Sequence, residues 1–383
     1  MRTGIWLVGA RGSVGTTTVV GAAAVRAGLA PPDGCVSAGD PFQSLDLPAF
    51  EELVFGGHEV AETSLPKRAE ALAEAGVIGH SLLELVKDDL LAADAEIRPG
   101  AADGSGGTQA AVIDRLAADL VDFRRRFELA RVVVVDVSST EPPVTAHPGW
   151  GSLHDLRQAL ESGQAVLPAS SLYACAALLA GCPFVEFTPS TGARIPALDE
   201  LARERGLPYA GSDGKTGETL VKSVLAPMFA RRALRVRSWS GTNLLGGGDG
   251  AALADPRRAS SKIDSKELVL KSGLGYPVEG GVHIHNIPCL GEWKTAWDHI
   301  AFEGFLGTRM TMQFTWQGCD SALAAPLVLD LARLVAFAHQ RGVAGPVAEL
   351  AFFFKDPIGT REHGLEQQYL TLLQWAAGLR AGQ

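Results

Sequence analysis

Four stretches of this chain place lysine where an ammonium group could meet a developing negative charge. In the first, Ser212, Asp213, Lys215, Thr216, Gly217, Glu218 and Thr219 run directly into a helix-compatible segment, Leu220–Ala230. Hydroxyls and backbone N–H groups at a helix start can cradle a phosphate, and the same residues can equally serve as an ordinary helix cap. In the second, Lys262 and Lys266 are four residues apart, which puts both ammonium groups on one helix face. A nearby anion would relieve their repulsion; the alternative is a solvated face. The third is Lys294, with Trp293 and Trp297 around it, and the fourth is Lys355, which follows Phe352, Phe353 and Phe354 at the expected end of a buried strand. Burial lowers the pKa of an ammonium and permits proton transfer near neutrality. The plainer reading of either lysine is a packed stem with its charged end in water, and Asp356 is a ready partner for Lys355.

Composition singles out the same region. Only nine of the 34 basic residues are lysine, and seven of those nine lie between Lys215 and Lys355. Arginine stays charged at any working pH and cannot shuttle protons, so in a chain that otherwise prefers arginine the lysines are candidates for positions where arginine would fail.

The elements that must hold these lysines read as an α/β protein. Ile5–Val8 has a short buried-strand pattern, and Gly9, Gly12 and Gly15 follow before a helical stretch, Thr16–Ala27. Glycines there let backbone approach a pyrophosphate while the helix start supplies N–H groups, with Ser13, Val14 and Thr16 in the same turn. A plain strand-to-helix connection would look similar. Arg131–Asp136 is continuous in valine, as a central parallel strand covered on both faces should be, and it ends in the polar loop Ser138, Ser139, Thr140, Glu141. Helices are expected at Pro66–Ala75, Leu82–Leu91, Gln109–Phe127, Leu172–Ala180 and Ile195–Arg205. The pattern predicts a Rossmann-type doubly wound parallel sheet over residues 1–212. An inserted α+β domain is expected at 213–315, with strands near Leu234–Ser240, Val282–His285 and Thr308–Phe314 and a glycine-rich loop from Thr242 to Gly250. Residues 316–383 return to the first domain through two long amphipathic helices.

Several function classes are excluded as expectations. A net charge of −9 offers no basic field for nucleic acid. The longest apolar run read from the sequence, Leu172–Ala180, is far short of the ~20 residues of a membrane span. The N-terminal apolar run is too short for a signal peptide, and five cysteines without a CxxC pair suit a reducing compartment, so a cytoplasmic enzyme is expected. His283 and His285 alternate on one strand, but no HExxH is present, and a metal requirement is left undetermined.

Taken together and in order, these segments resemble the inositol-phosphate synthase family nearly end to end. The stretches that carry the resemblance are Val8–Gly15, Val54–Gly57, Ser139–Glu141, Ser212–Thr219, Asn243–Gly250, Ser261–Lys266, Lys294, Asp320-Ser321 and Phe354-Lys355-Asp356-Pro357. The resemblance implies a tightly held NAD and a hexose 6-phosphate that is oxidised at C5, enolised, closed by an intramolecular aldol reaction and reduced again. It implies that Lys262 exchanges the C5 hydroxyl proton, and that Lys266, Lys294 and Lys355, with Asp320, stabilise the enolate and alkoxide. It places the phosphate on Lys215, Thr216, Gly217, Glu218 and Thr219, with Asn243 and Leu245 beside the substrate. It places NAD on Gly9, Gly12, Ser13, Val14, Gly15, Thr16, Ser138, Ser139, Thr140, Asp213 and Asp249. Asp40 is the expected ligand of the adenosine ribose, and a homotetramer built through the inserted sheet is implied. Two departures stand out: glycines replace side chains in the 243–249 loop, and Glu218 stands where the family usually has glutamine. Glucose 6-phosphate, giving inositol phosphate, is the first substrate expectation. Fructose 6-phosphate, giving a five-membered ring, is the alternative, and a sugar-phosphate dehydrogenase that does not cyclise is the second.

Overall fold

The computed structural model describes residues 1–101, 107–247 and 270–381. Lys262, Lys266 and Asp249 lie outside the described residues.

Seven parallel strands form the first sheet: β1 (Thr3–Val8), β2 (Leu53–Glu59), β3 (Ile97–Pro99), β4 (Arg131–Asp136), β5 (Phe184–Glu186), β6 (Pro208–Gly211) and β11 (Gly345–Pro346). Their order is β11-β6-β5-β4-β1-β2-β3. The sequence reverses direction at β1, so the carboxyl ends of β1 and β4 flank the crevice in which doubly wound sheets bind ligands. In β4, Val132, Val133, Val134, Val135 and Asp136 are all buried, which is why the strand reads as an unbroken apolar run.

The sheet is packed against a 21-residue helix, Asp320–Gln340, which lies against helix Ser13–Arg26 and β4. Among the described residues this helix, rather than the 172–180 run, is the longest strongly apolar one, and by length and composition alone it could cross a membrane. It is instead mostly buried within the protein and contains buried Asp330 and Arg333. Asp330 accepts from the Ser37 hydroxyl and from the backbone N–H groups of Val36 and Ser37.

The second sheet has the order β10-β9-β7-β8, from β7 (Arg235–Leu245), β8 (Val282–Asn286), β9 (Trp293–Glu303) and β10 (Arg309–Cys319). β9 pairs antiparallel with both β7 and β10, and β8 runs parallel to β7. Two expectations and one unread strand need correction here. Thr242–Leu245 belongs to β7 rather than to a glycine loop. Lys294 is the second residue of a long strand whose inward positions are Lys294, Ala296, Asp298 and Ile300; two polar side chains in that row hide the alternation. Phe352 and Phe353 lie in a 3-10 turn, Ala348–Phe353, and not in a strand. Phe354 then pairs with Gly214 in an isolated antiparallel bridge, which sets Lys355 against Asp213 through Lys355 N–H to Asp213 carbonyl at 2.7 Å. The helix expected at Leu82–Leu91 is divided at buried Val86 into His80–Leu85 and Lys87–Asp94.

Candidate active site

A cavity of about 790 Å3 opens at the carboxyl ends of the parallel strands and is bounded on its other side by the end of β7 and the start of β9. Gly9, Gly12, Ser13 and Val14 line one end, with Ser138, Ser139 and Thr140 beside them. Gly9 has φ +80°, and a Cβ there would lie 2.7 Å from Ser138 Cα. A Cβ on Gly15 would lie 2.5 Å from the Ala10 carbonyl oxygen, so the turn closes on itself only without side chains. Helix Ser13–Arg26 starts after Gly12 with no side-chain cap, which leaves its first N–H groups to face the cavity as an anion site. Gly15 and Thr16 are buried beneath this turn.

The acidic residue at the end of the second strand is Glu59, which lines the cavity. Asp40 is exposed and sits in a short turn, Asp40–Phe42, well before β2, so the ribose expectation for it is corrected. The segment after the first helix is a series of such turns, which delays the second strand. Glu59 accepts the N–H groups of Arg11 (2.9 Å), Val60 (2.7 Å) and Ala61 (3.0 Å).

At the other end of the cavity lie Lys294, Lys355, Asp213, Asp320, Thr216 and Leu245. Lys355 Nζ donates to Asp213 Oδ1 at 2.8 Å, and Lys294 Nζ donates to Asp320 Oδ2 at 3.0 Å. The Thr216 hydroxyl lies 3.5 Å from Asp320 Oδ1. Lys355 is 5% exposed and Lys294 8%, so both ammonium groups lie in a poorly hydrated setting, where positioned charge can stabilise an anion most strongly. Helix Gly217–Arg231 begins just after Thr216, three residues earlier than its apolar pattern implies, and presents its N-terminus beside these groups.

The rest of the expected phosphate loop turns away. Lys215 is buried and donates to Gln368 Oε1 on the C-terminal helix, Leu365–Ala381; burial pushes its ammonium down to about 7. Thr219 is buried as well. Glu218 is ion-paired with Lys222 and accepts from Asn243 Nδ2 at 2.7 Å, with all three residues buried. Neither Glu218 nor Asn243 lines the cavity. Asp298 completes this cluster at 3.4 Å from Lys222, and accepts from Trp239 Nε1 at 2.7 Å. Burial pushes Asp298 up to about 6, with Glu218 adding to the shift and Lys222 opposing it.

Sequence reading passes over Lys222 and Arg68, and notes His58 only as following two glycines, without a role. The four-residue Glu218–Lys222 spacing is a signal for the first. His58 accepts from Trp6 Nε1 at 2.9 Å through Nδ1 and faces Asp119 through Nε2 at 3.1 Å; burial holds its pKa below the usual histidine value. Among the described residues, no group of three or more His, Cys, Asp or Glu side chains is placed to hold a metal ion.

A family model described as myo-inositol-1-phosphate synthase matches residues 3–377. The chain belongs to the myo-inositol-1-phosphate synthase family. Inositol-3-phosphate synthase 1 of Bacteroides thetaiotaomicron is 33% identical over 98% of this chain and 93% of its own length. The probable inositol 3-phosphate synthase isozyme 3 of Arabidopsis thaliana is 31% identical over 77% of this chain, which spans only 61% of that longer relative. The solved inositol-3-phosphate synthase of Caenorhabditis elegans superposes with a TM-score of 0.90 at 21% identity, covering 99% of this chain and 86% of its own. A myo-inositol-1-phosphate synthase-related protein of Thermotoga maritima gives 0.79 at 26%, with 98% and 99% covered. The myo-inositol-1-phosphate synthase family uses NAD. The residues here fit that cofactor: a glycine turn that a Cβ would obstruct, an uncapped helix start, and a carboxylate at the end of the second strand.

Proposed function

We propose that this chain is an NAD-dependent hexose 6-phosphate cyclase that converts glucose 6-phosphate to inositol phosphate. One observation supports the reading above all others: a single cavity joins the glycine turn to two buried lysines, each held by its own carboxylate. NAD, when bound, supplies the oxidant for C5 and returns the same hydride at the end. Lys355 and Lys294 stabilise the negative oxygens of the enolate and of the aldol alkoxide. Asp213 and Asp320 hold the two ammonium groups in place. Thr216 and the start of helix Gly217–Arg231 receive the phosphate. Lys262 and Lys266, as proton exchanger and enolate stabiliser, rest on the family resemblance alone. With oxidation and reduction cancelling, the enzyme is an isomerase, and the implied homotetramer is part of the same proposal.

Purified protein incubated separately with glucose 6-phosphate and fructose 6-phosphate, with products read by NMR, tests this. A six-membered cyclitol phosphate with no net rise in NADH absorbance is expected. Exclusive turnover of the ketose replaces the substrate, and stoichiometric NADH without a carbocycle replaces the cyclase by a dehydrogenase.

A further inference from the structure

Arg68 lies on helix Leu65–Glu74 and touches both halves of the site. Its Nη2 donates to Ser13 Oγ at 2.5 Å and to Glu292 Oε1 at 2.7 Å. Ser13 is the first residue of the helix that follows the glycine turn, and Glu292 immediately precedes β9 of the second sheet. Both charged side chains are more than two-thirds buried, and both line the cavity, as does the neighbouring Trp293. Trp293 makes a second tie, donating from Nε1 to the Ala75 carbonyl, at the end of the same helix, at 2.8 Å. A Cβ on Gly246 would lie 2.3 Å from the Gly291 carbonyl oxygen, so the two chain segments at this edge of the second sheet meet backbone to backbone. The other cations of this rim have separate partners: Arg11 pairs with Asp94 at 2.9 Å and Lys67 with Glu70 at 2.8 Å.

We propose that Arg68 and Glu292 form a clamp that retains the dinucleotide, by tying the second sheet to the first residue of the dinucleotide-turn helix across the cavity. The inference rests on the proposed reaction for its purpose: a cofactor reduced in the first step must still be in place for the last. Release requires the two sides of the cavity to part, and the buried charge pair opposes that parting. Arg68 and Glu292 are positioning residues, acting on the cofactor through the closure of the cavity.

The test is the rate at which bound NAD exchanges with labelled NAD, measured without sugar, so that its outcome is independent of whether the cyclase reading holds. Glu292→Gln keeps the side-chain size and leaves the glycine turn untouched; it should speed release about ten-fold, the effect of losing ~1.4 kcal/mol from a charge-assisted contact. The melting temperature of the NAD-free protein should change little. Trp293→Phe, which removes only the second tie, should give a smaller acceleration. Exchange from Glu292→Gln within two-fold of the parent overturns the clamp. With sugar present, Glu292→Gln should also leak NADH to a second dehydrogenase that consumes only free cofactor.

Discussion

The ammonium of Lys355 is 2.8 Å from Asp213 Oδ1, and both side chains are buried at the junction between the 3-10 turn and the loop after β6. Their roles separate on mutation. Lys355→Ala leaves the Asp213 carboxylate without its cation and should cost about 3–5 kcal/mol. The variant should still fold and retain NAD, but turnover should be abolished. Adding Asp213→Asn should recover stability without recovering turnover. Thermal melting, NAD retention and NMR of products check all of this; activity within a few-fold of the parent rejects the role of Lys355.

Lys294 is expected to contribute mainly when charge develops on the substrate. Lys294→Met should lower kcat by about 10²–10³-fold, the usual cost of one positioned charge-stabilising donor, with a far smaller change in KM. Steady-state kinetics decides it. A change confined to KM would mean that Lys294 only binds.

Gly15→Ala places a methyl 2.5 Å from the Ala10 carbonyl oxygen and 2.9 Å from that of Gly9, so the turn must open. NAD affinity should fall at least about ten-fold, equivalent to ~1.4 kcal/mol. Equilibrium titration of NAD-free protein measures it, and unchanged affinity would remove the turn from the cofactor site.

The Glu218, Lys222 and Asp298 cluster predicts a particular pH response. Asp298 is raised to about 6, above an unfolded value of ~3.9, so the folded state holds its proton more tightly. Its stabilising contribution is complete below the unfolded value and is lost as pH rises through 6. Glu218→Gln removes the carboxylate that helps to raise Asp298 and should flatten melting temperature against pH between 4 and 6. Parallel curves for variant and parent would sink the idea.

Lys215 gives the opposite slope. Its folded value of about 7 lies below an unfolded ~10.4, so between these limits the unfolded chain binds more protons and stability rises with pH. Urea unfolding at pH 7 and pH 9 should show a gain for the parent and a smaller one for Lys215→Met; equal gains would count against it.

How much of this is legible before folding depends on whether the signal is local. β4, the glycine turn and the long helices are periodic patterns within one segment, and they read correctly. The strand that carries Lys294 does not, because Lys294 and Asp298 occupy inward positions where apolar residues are expected. Lysine scarcity leads to Lys294 and Lys355, yet composition cannot separate them from Lys215 and Lys222, which face other partners. Glu59 is missed because irregular turns lengthen the path to β2, so that Asp40, offered as the acidic residue after the second strand, lies before that strand begins. Arg68 and Glu292 meet only when the second sheet comes down on the first, and no local spacing announces that contact.

Asp320, the counter-charge of Lys294, is also the first residue of the 21-residue helix that runs through the core. Val328, Leu331, Leu334 and Val335 anchor that helix with no exposed surface. A close-packed interior transmits a volume change as a shift of the whole element. Attempts to make the enzyme more heat-resistant by repacking these four positions would therefore reach the Lys294–Asp320 pair.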